Sequence, residues 1–184
     1  WCYVNNFSDP ERPRALSLPP GRGAEFKQAM QALIAEIRLA VPAAFENDDY
    51  GNQLKSLEAE TQKELDELWR TLHELAAQED IGVLQTPTGY VLAPLIDGKV
   101  VDDKEFDELP EESRKAIKGS IKRLSEELQA RIETVPKIRK RHRERVRSLD
   151  REVTSHAVSV LLDDLKKTYE DLPSVLAYLE EVQQ

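Results

Sequence analysis

An unusually long helical pattern dominates this sequence. From about Glu111 to about Tyr169, apolar residues recur at steps close to three or four, and Pro136 is the only strong helix breaker in the run. A helix of about 55 residues would extend on the order of 80 Å, whereas a compact domain of this length has a radius of gyration of ~16 Å. We therefore expect the apolar stripe of this helix to pack against another helix or a partner. This is typical of an arm and not of a self-contained enzyme. The recurring apolar residues are Ile117, Ile121, Leu124, Leu128, Val135, Ile138, Val146, Leu149, Val153, Ala157, Val160, Leu161 and Leu165.

The composition agrees with long amphipathic helices, because 33% of the residues are charged and only 6% are aromatic. The net charge of −9 disfavours nucleic-acid binding by the chain as a whole. A single cysteine, Cys2, excludes an internal disulfide and indicates a reducing, cytoplasmic location. No apolar run approaches the ~20 residues of a membrane span, so we expect no membrane partner. Because the chain begins with Trp1, we interpret it as part of a longer polypeptide.

The first 46 residues predict a strand, a loop and a helix. Residues 1–7 (WCYVNNF) are rich in aromatic and β-branched residues, which predicts a short buried strand, with residues 16–18 as a possible partner strand. Prolines and glycines make residues 8–23 a loop. A helix is predicted from about Ala24 to Val41 or Glu46, and we expect Pro42 to end or kink it.

A second helix is predicted over residues 48–78, with a seam at steps of three and four that could bury the stripe of the long helix. The seam residues are Leu54, Leu57, Thr61, Leu65, Leu68, Leu72 and Leu75. Charge supports an antiparallel pairing, because residues 46–80 hold eleven acids and three bases, whereas residues 137–147 hold seven bases and one acid. Folding back would place this basic block near the start of the second helix. The acids expected there are Glu46, Asp48, Asp49 and Glu58.

Between the two helices the pattern changes to that of a small β-element. Residues 82–86 and 90–95 predict a β-hairpin around Pro87-Thr88-Gly89, and a second turn at Asp97-Gly98 leads to a third short strand. Asp102 or Asp103 is predicted to cap a short helix that contains Phe106, and Pro110 is predicted to be the first residue of the long helix. After Leu172-Pro173, Ser174 is predicted to cap a last helix. The predicted fold class is mainly α: a long antiparallel helical hairpin with a small β-hairpin element and a short N-terminal strand.

The sequence assigns no catalytic residue and no metal site. It contains no GxxxxGK[ST] phosphate loop, no HExxH metal motif and no GxSxG nucleophile motif. His73, His142 and His156 stand alone on predicted helices, and we expect His156 to pack at the edge of the seam. We predict no cofactor within this chain.

Two segments are candidates for binding. The apolar stretch with Tyr90, Val91, Leu92 and Leu95 could contact protein substrates by strand addition, or it could form core beneath the hairpin, which we favour. The basic block could bind a charged partner or nucleic acid, or it could be a solvated face paired with acidic neighbours, which we also favour. The candidate residues in the block are Lys137, Arg139, Lys140, Arg141 and Arg143.

The N-terminal segment WCYVNNF, followed by DPERPRALSLPPGRGAEF, resembles the Lon-related ATP-dependent proteases that carry an AAA+ module with a large helical insertion. The likeness extends over essentially the whole chain. The further similar segments are residues 84–90 (LQTPTGY), 93–95 (APL), 106–112 (FDELPEE), 149–153 (LDREV) and 171–179 (DLPSVLAYL).

The resemblance implies a hexameric protease that uses ATP and Mg²⁺ to thread protein substrates to a Ser/Lys peptidase. The parts that carry this chemistry would lie outside the chain, so the chain itself would not be an enzyme. Residues 1–46 would belong to the AAA+ core, residues 47–170 would form an inserted coiled-coil arm with its β-element at about 81–101, and residues 171–184 would return to the core. The arm would capture substrates, gate their entry or contact the other domains and subunits. The alternative is a nucleic-acid-binding module that uses residues 137–147.

Overall fold

The computed structural model of the chain describes residues 1–87 and 89–183, with only the backbone described at Asp103. The chain is mainly helical with two small antiparallel sheets, which confirms the predicted fold class. The helices are α1 (Arg22–Phe45), α2 (Asp48–Ala77), α3 (Asp103–Asp107), α4 (Glu111–Thr168) and α5 (Pro173–Val182). The strands are β1 (Cys2–Val4), β2 (Arg14–Leu16), β3 (Ile81–Thr86), β4 (Gly89–Ile96) and β5 (Lys99–Val100).

The packing divides the chain into two compact units. The first unit comprises Trp1–Lys55 and Val146–Gln184, and the second unit comprises Ser56–Arg145. The assignment of residues 1–46, 47–170 and 171–184 to a core, an inserted arm and a return to the core stays a prediction. No helix in the described part of the chain is both long enough and apolar enough to cross a membrane.

The core of the first unit joins the β1–β2 ribbon to α1, α5 and the end of α4. Its centre is aromatic: the ring of Phe26 lies edge-on to that of Tyr169, with 5.3 Å between centroids, and edge-on to that of Tyr178, with 6.2 Å between centroids. The buried residues of this core are Leu16, Phe26, Leu33, Leu162, Tyr169, Val175, Tyr178 and Leu179.

The N-terminal strand forms as predicted, but it is not buried throughout. Cys2 and Val4 pack against the core, whereas Trp1 is 85% and Tyr3 77% exposed. Side chains alternate between the two faces of a strand, so only every second residue of this ribbon can reach the core. The partner strand is Arg14–Leu16, with Cys2 opposite Leu16, and not the predicted residues 16–18.

The observed bounds of the helices test the predictions about Pro42, Pro136 and Ser174. Pro42 does not end α1, which continues to Phe45, and α4 runs through Pro136 without interruption. The prediction that Ser174 caps the last helix is wrong. Leu172 occupies the N-cap without a side-chain hydrogen bond, and Pro173 is the first helical residue, a position where its missing N–H costs nothing.

The second unit contains a three-stranded sheet in the order β3-β4-β5. Asp97 and Gly98 form the predicted second turn with positive φ values of 51° and 76°, the geometry of a tight two-residue hairpin. In the predicted first turn, Thr88 lies outside the described residues. The sheet packs on α2 and α4 around a buried cluster. The members of this cluster are Leu72, Ala76, Ile81, Leu124 and Leu128.

Local capping signals fix the start of the two helices that follow the sheet. The Asp102 carboxylate accepts hydrogen bonds from the backbone N–H groups of Lys104 and Glu105, and Glu105 reaches back to the N–H of Asp102. This reciprocal capping box starts α3 at the predicted place. Pro110 directly precedes α4, and its carbonyl accepts the first bond, from the Arg114 N–H at 3.0 Å.

Candidate functional site

Within the second unit, α2 and α4 run antiparallel, and this pairing supports the sheet. Residues with increasing numbers on α2 contact residues with decreasing numbers on α4. The ion pairs that show this are Glu60 with Arg145, Glu64 with Arg141, and Glu79, just beyond α2, with Arg123. Between these pairs, Arg131 Nε donates to the Leu68 carbonyl at 3.2 Å. The predicted helical hairpin is therefore present in this unit.

Within the second unit, a partly buried hydrogen bond between two side chains also joins α2 and α4. Thr61 Oγ1 lies 2.8 Å from the Leu57 carbonyl and 3.0 Å from His142 Nδ1. The hydroxyl has a single proton, which it donates to the Leu57 carbonyl, so it must accept from His142 Nδ1–H. This assigns the ring proton to Nδ1 and gives His142 a structural role. The other two histidines, His73 and His156, are exposed, so the prediction that His156 packs at the seam edge is wrong.

We expect Thr61→Val to destabilise the second unit by about 1 kcal/mol, because the variant keeps the side-chain shape but leaves His142 Nδ1–H without its acceptor. The matched control is Thr71→Val. The Thr71 hydroxyl bonds only to backbone carbonyls of its own helix, those of Glu67 and Leu68. Urea denaturation followed by circular dichroism measures both variants, and equal losses of stability would contradict the assigned interhelical bond.

The basic block lies along α4, and several of its cations are paired with acids. Arg141 contacts Glu64, whose hydrogen bond raises the pKa of the guanidinium, and Arg145 lies 2.7 Å from Glu60. Lys140 lies 3.7 Å from Glu144 on its own helix.

The predicted acidic partners of this block were wrong. The partners are Glu60 and Glu64, further along α2 than the predicted set. The packing of Leu72 of α2 with Leu124 and Leu128 of α4 fixes the register of the helices. The predicted set was Glu46, Asp48, Asp49 and Glu58. Exposed pairs of this kind contribute little stability, so they cannot override that packing.

The ion pairs line a cleft of about 250 Å³ between the two helices. The arginines and glutamates in its wall neutralise one another, which leaves no unpaired charge there to bind a ligand. Within the described residues, Lys137, Arg139 and Arg143 take part in no ion pair. The residues that line the cleft are Glu60, Thr61, Glu64, Ile138, Arg141, His142 and Arg145.

The inner face of the β-element is part of the core. Tyr90 stacks on Trp69 with 4.4 Å between ring centroids, and Leu92 and Val83 pack against the buried cluster. Tyr90 and Leu92, two of the four predicted substrate-contact residues, therefore lie beneath the sheet.

The outer face of the β-element is apolar and partly exposed. Leu84 and Val91 lie opposite each other on β3 and β4 and are 38% and 47% exposed. Leu95 lies opposite Val100 and leans over Gly82, where a Cβ would come within 3.1 Å of its side chain. This close approach explains the glycine.

Val91 and Leu95 thus belong to the outer face of the sheet. Sequence reasoning missed Leu84 and Val100, although the period-two alternation of the strands could have identified them. We call Leu84, Val91, Leu95 and Val100 the outer patch.

The hairpin differs in charge from the rest of the chain. Residues 81–96 (IGVLQTPTGYVLAPLI) contain no Asp, Glu, Lys, Arg or His, although a third of the whole sequence is charged. Monomeric proteins normally keep exposed strands soluble with charged side chains. An uncharged hairpin with an exposed apolar face is therefore the best candidate for a binding surface in the second unit.

Comparison with known families identifies only the N-terminal part of the chain. Residues 1–33 match the model of the Lon-like LonC helical domain. This stretch contains β1, β2 and the first half of α1, and it includes the WCYVNNF segment and the proline-arginine loop. No curated protein and no solved structure matches the chain significantly. The outer patch lies outside the matched residues.

Proposed function

We propose that this chain is the non-catalytic helical region of a Lon-like protease and that its β-element contacts the protein substrates. The likeness of residues 1–33 to the Lon-like LonC helical domain supports the family. The observation that carries the substrate role is the outer patch, because exposed apolar surface on an uncharged sheet is costly in water unless a partner covers it. Unfolded polypeptides offer the apolar side chains that such a patch binds.

The position of the patch also suits capture. The sheet stands on the packed ends of α2 and α4, and its inner face is anchored by Trp69 and the buried cluster. A patch on a rigid support loses little conformational entropy when it binds, so more of the contact energy appears as affinity. Gating of substrate entry or contact with neighbouring subunits would use the same surface.

The rest of the proposed assembly lies outside this chain. We propose that the whole protein is a cytoplasmic, hexameric, ATP-dependent protease, with ATP and Mg²⁺ bound by its AAA+ module and the Ser/Lys pair in its peptidase domain. The helical region contributes no residue to either reaction in this proposal. Omitting ATP from degradation assays of the whole protease tests the ATP dependence separately from the substrate role.

The substrate role predicts that the double variant Leu84→Lys/Val91→Lys of the whole protease degrades unfolded protein at least tenfold more slowly but hydrolyses short peptides at the normal rate. Two lysines would place charge on the patch without disturbing the inner face. The matched control is Ile132→Lys, because Ile132 is a 40% exposed apolar residue on α4 in the same unit. Equal loss of protein and peptide cleavage would show damage to the assembly and would contradict capture by the patch.

Deletion of residues 82–101 from the whole protease is also expected to slow the degradation of protein and to leave the cleavage of short peptides unchanged. This deletion is the less specific test, because it also uncovers the buried Leu72.

Nucleic-acid binding by the basic block is the alternative function, and the unpaired Lys137, Arg139 and Arg143 are the observation in its favour. Against it stand the ion pairs of Arg141 and Arg145 and the net charge of −9. We expect no retardation of duplex DNA or single-stranded RNA by the 184-residue chain at 150 mM salt. Retardation that weakens with salt and disappears in Arg139→Glu/Arg143→Glu would establish the alternative.

A further inference from the structure

We propose that the free edge of β3 accepts an extended, uncharged polypeptide segment as a fourth strand of the sheet. This inference rests on the proposed substrate role and specifies how the substrate is held. Strand addition uses backbone hydrogen bonds for affinity and the flanking side chains for selectivity. It can therefore hold unfolded chains of many sequences.

The register of the sheet shows which backbone groups of β3 face outward. Leu95 N–H donates to the Asp80 carbonyl at 2.7 Å, so this pair marks one hydrogen-bonded step of the antiparallel ladder. Such steps alternate along the strands. Gly82 and Leu84 therefore direct their N–H and C=O groups towards β4, whereas Val83 and Gln85 direct theirs away from it.

The other side of β4 confirms this alternation. Pro94, which lies opposite Ile81, accepts a hydrogen bond from the Val101 N–H at 3.0 Å. The Pro94 carbonyl thus points away from β3, as expected for a residue between two hydrogen-bonded steps. The β4 side of the sheet is also protected, because β5 pairs there and Pro94 has no N–H to offer.

The β3 edge has no comparable protection. Among the residues that the structure describes, no hydrogen bond is formed by the backbone N–H or C=O of Val83 or Gln85. The strand IGVLQT contains no charge and no proline, and it pairs with β4 without a bulge. Leu84 and Gln85 are exposed at its end. Natural edge strands normally carry a charged residue, a proline or a bulge, because an open edge binds further strands.

The chemistry of the site favours a substrate segment over a second copy of this chain. Each copy carries a net charge of −9, so pairing two β3 strands would bring two strongly acidic molecules together. An uncharged segment avoids this repulsion. Its side chains would alternate between the outer face beside Leu84 and the inner face beside Val83, which selects apolar residues without proline.

Amide hydrogen exchange of the isotopically labelled 184-residue chain tests the proposal, with reduced and carboxamidomethylated ribonuclease A, whose net charge is not negative, as the unfolded probe. At saturating probe, we expect the exchange of the Val83 and Gln85 amides to slow at least tenfold, while Gly82 and Leu84, already bonded to β4, change little. This period-two pattern distinguishes strand addition from contact through the outer patch alone. Slower exchange of all four amides, without the period-two pattern, would overturn the edge site. Protection of Val83 and Gln85 without the probe, increasing with the concentration of the chain, would also overturn it, because that result indicates pairing with a second copy.

Substitution at Gln85 gives an independent test. Gln85→Pro removes an outward N–H from an exposed position and leaves the bonds to β4 intact, whereas Gln85→Thr keeps the N–H and serves as the matched control. We expect the proline variant to bind the probe about tenfold more weakly, with unchanged circular dichroism, and the threonine variant to bind normally. Equal binding by both variants would overturn strand addition. If Leu84→Lys/Val91→Lys nevertheless impaired protein degradation, the proposed substrate role would stand without the edge site.

Discussion

Replacing Leu72 with alanine is expected to lower the free energy of unfolding of the second unit by about 3 kcal/mol. Leu72 is fully buried at the centre of the cluster in which α2, β3 and α4 meet. Truncation removes its apolar contacts and leaves a cavity that rigid neighbours on three elements cannot fill. The same loss would loosen the support of the β-element, so binding of unfolded protein should weaken together with stability.

The matched control for this variant is Leu75→Ala, three residues further along α2. Leu75 is 39% exposed and lies outside the buried cluster, so we expect a loss below about 1 kcal/mol. Urea denaturation followed by circular dichroism compares the two variants. Equal destabilisation would show that the cluster does not hold α2, α4 and the sheet together in the way described.

Phe26→Ala is expected to destabilise the first unit by about 4 kcal/mol. Phe26 is 1% exposed, and its ring contacts the edge or face of both Tyr169 and Tyr178. Tyr169 directly follows α4 and Tyr178 lies on α5, so the Phe26 side chain links three segments of the chain. Burial raises the pKa of both tyrosine hydroxyls, which agrees with an aromatic interior.

Leu39→Ala on the same helix provides the control, because Leu39 is 75% exposed and its truncation should change stability by less than about 0.5 kcal/mol. Thermal unfolding followed by near-ultraviolet circular dichroism reports directly on the tyrosine environment. A Phe26→Ala variant that keeps the near-ultraviolet signal and the unfolding midpoint would contradict the aromatic core.

Much of the secondary structure could be predicted because its signals are local. The sequence predicts α2 over residues 48–78, and it spans Asp48–Ala77, since seven seam residues recur at helical steps of three and four from Leu54 to Leu75. The turn at Asp97-Gly98 and the cap at Asp102 also depend on neighbours only a few residues away. The long helix could be predicted for the same reason, and Pro136 did not interrupt it.

Features set by tertiary packing could not be predicted in this way. The register between α2 and α4 decides that Arg141 meets Glu64, and it follows from how the buried leucines interlock, not from charge. The ribbon β1–β2 buries one face only, so the aromatic Trp1 and Tyr3 are exposed despite their composition. At the start of α5, Pro173 set the helix boundary in place of the favourable capping residue Ser174.

The candidate site was predicted in position but not in orientation. The sequence indicated an apolar hairpin with Tyr90, Val91, Leu92 and Leu95 and favoured core over a substrate-contact surface for all four residues. The strands divide them, with Tyr90 and Leu92 inward and Val91 and Leu95 outward. Alternation alone could separate the two sets, but only the contact of Tyr90 with Trp69 shows which set faces the helices.

The central claim is that unfolded protein binds this chain at the β-element and not along its charged helices. Site-specific photocrosslinking tests it most directly, with a photoreactive phenylalanine at Leu84 on the outer patch or at Lys140 on the exposed surface of α4. We predict that reduced and carboxamidomethylated ribonuclease A crosslinks at position 84 at least tenfold more efficiently than at position 140. Equal crosslinking at the two positions, or stronger crosslinking at position 140, would contradict the claim.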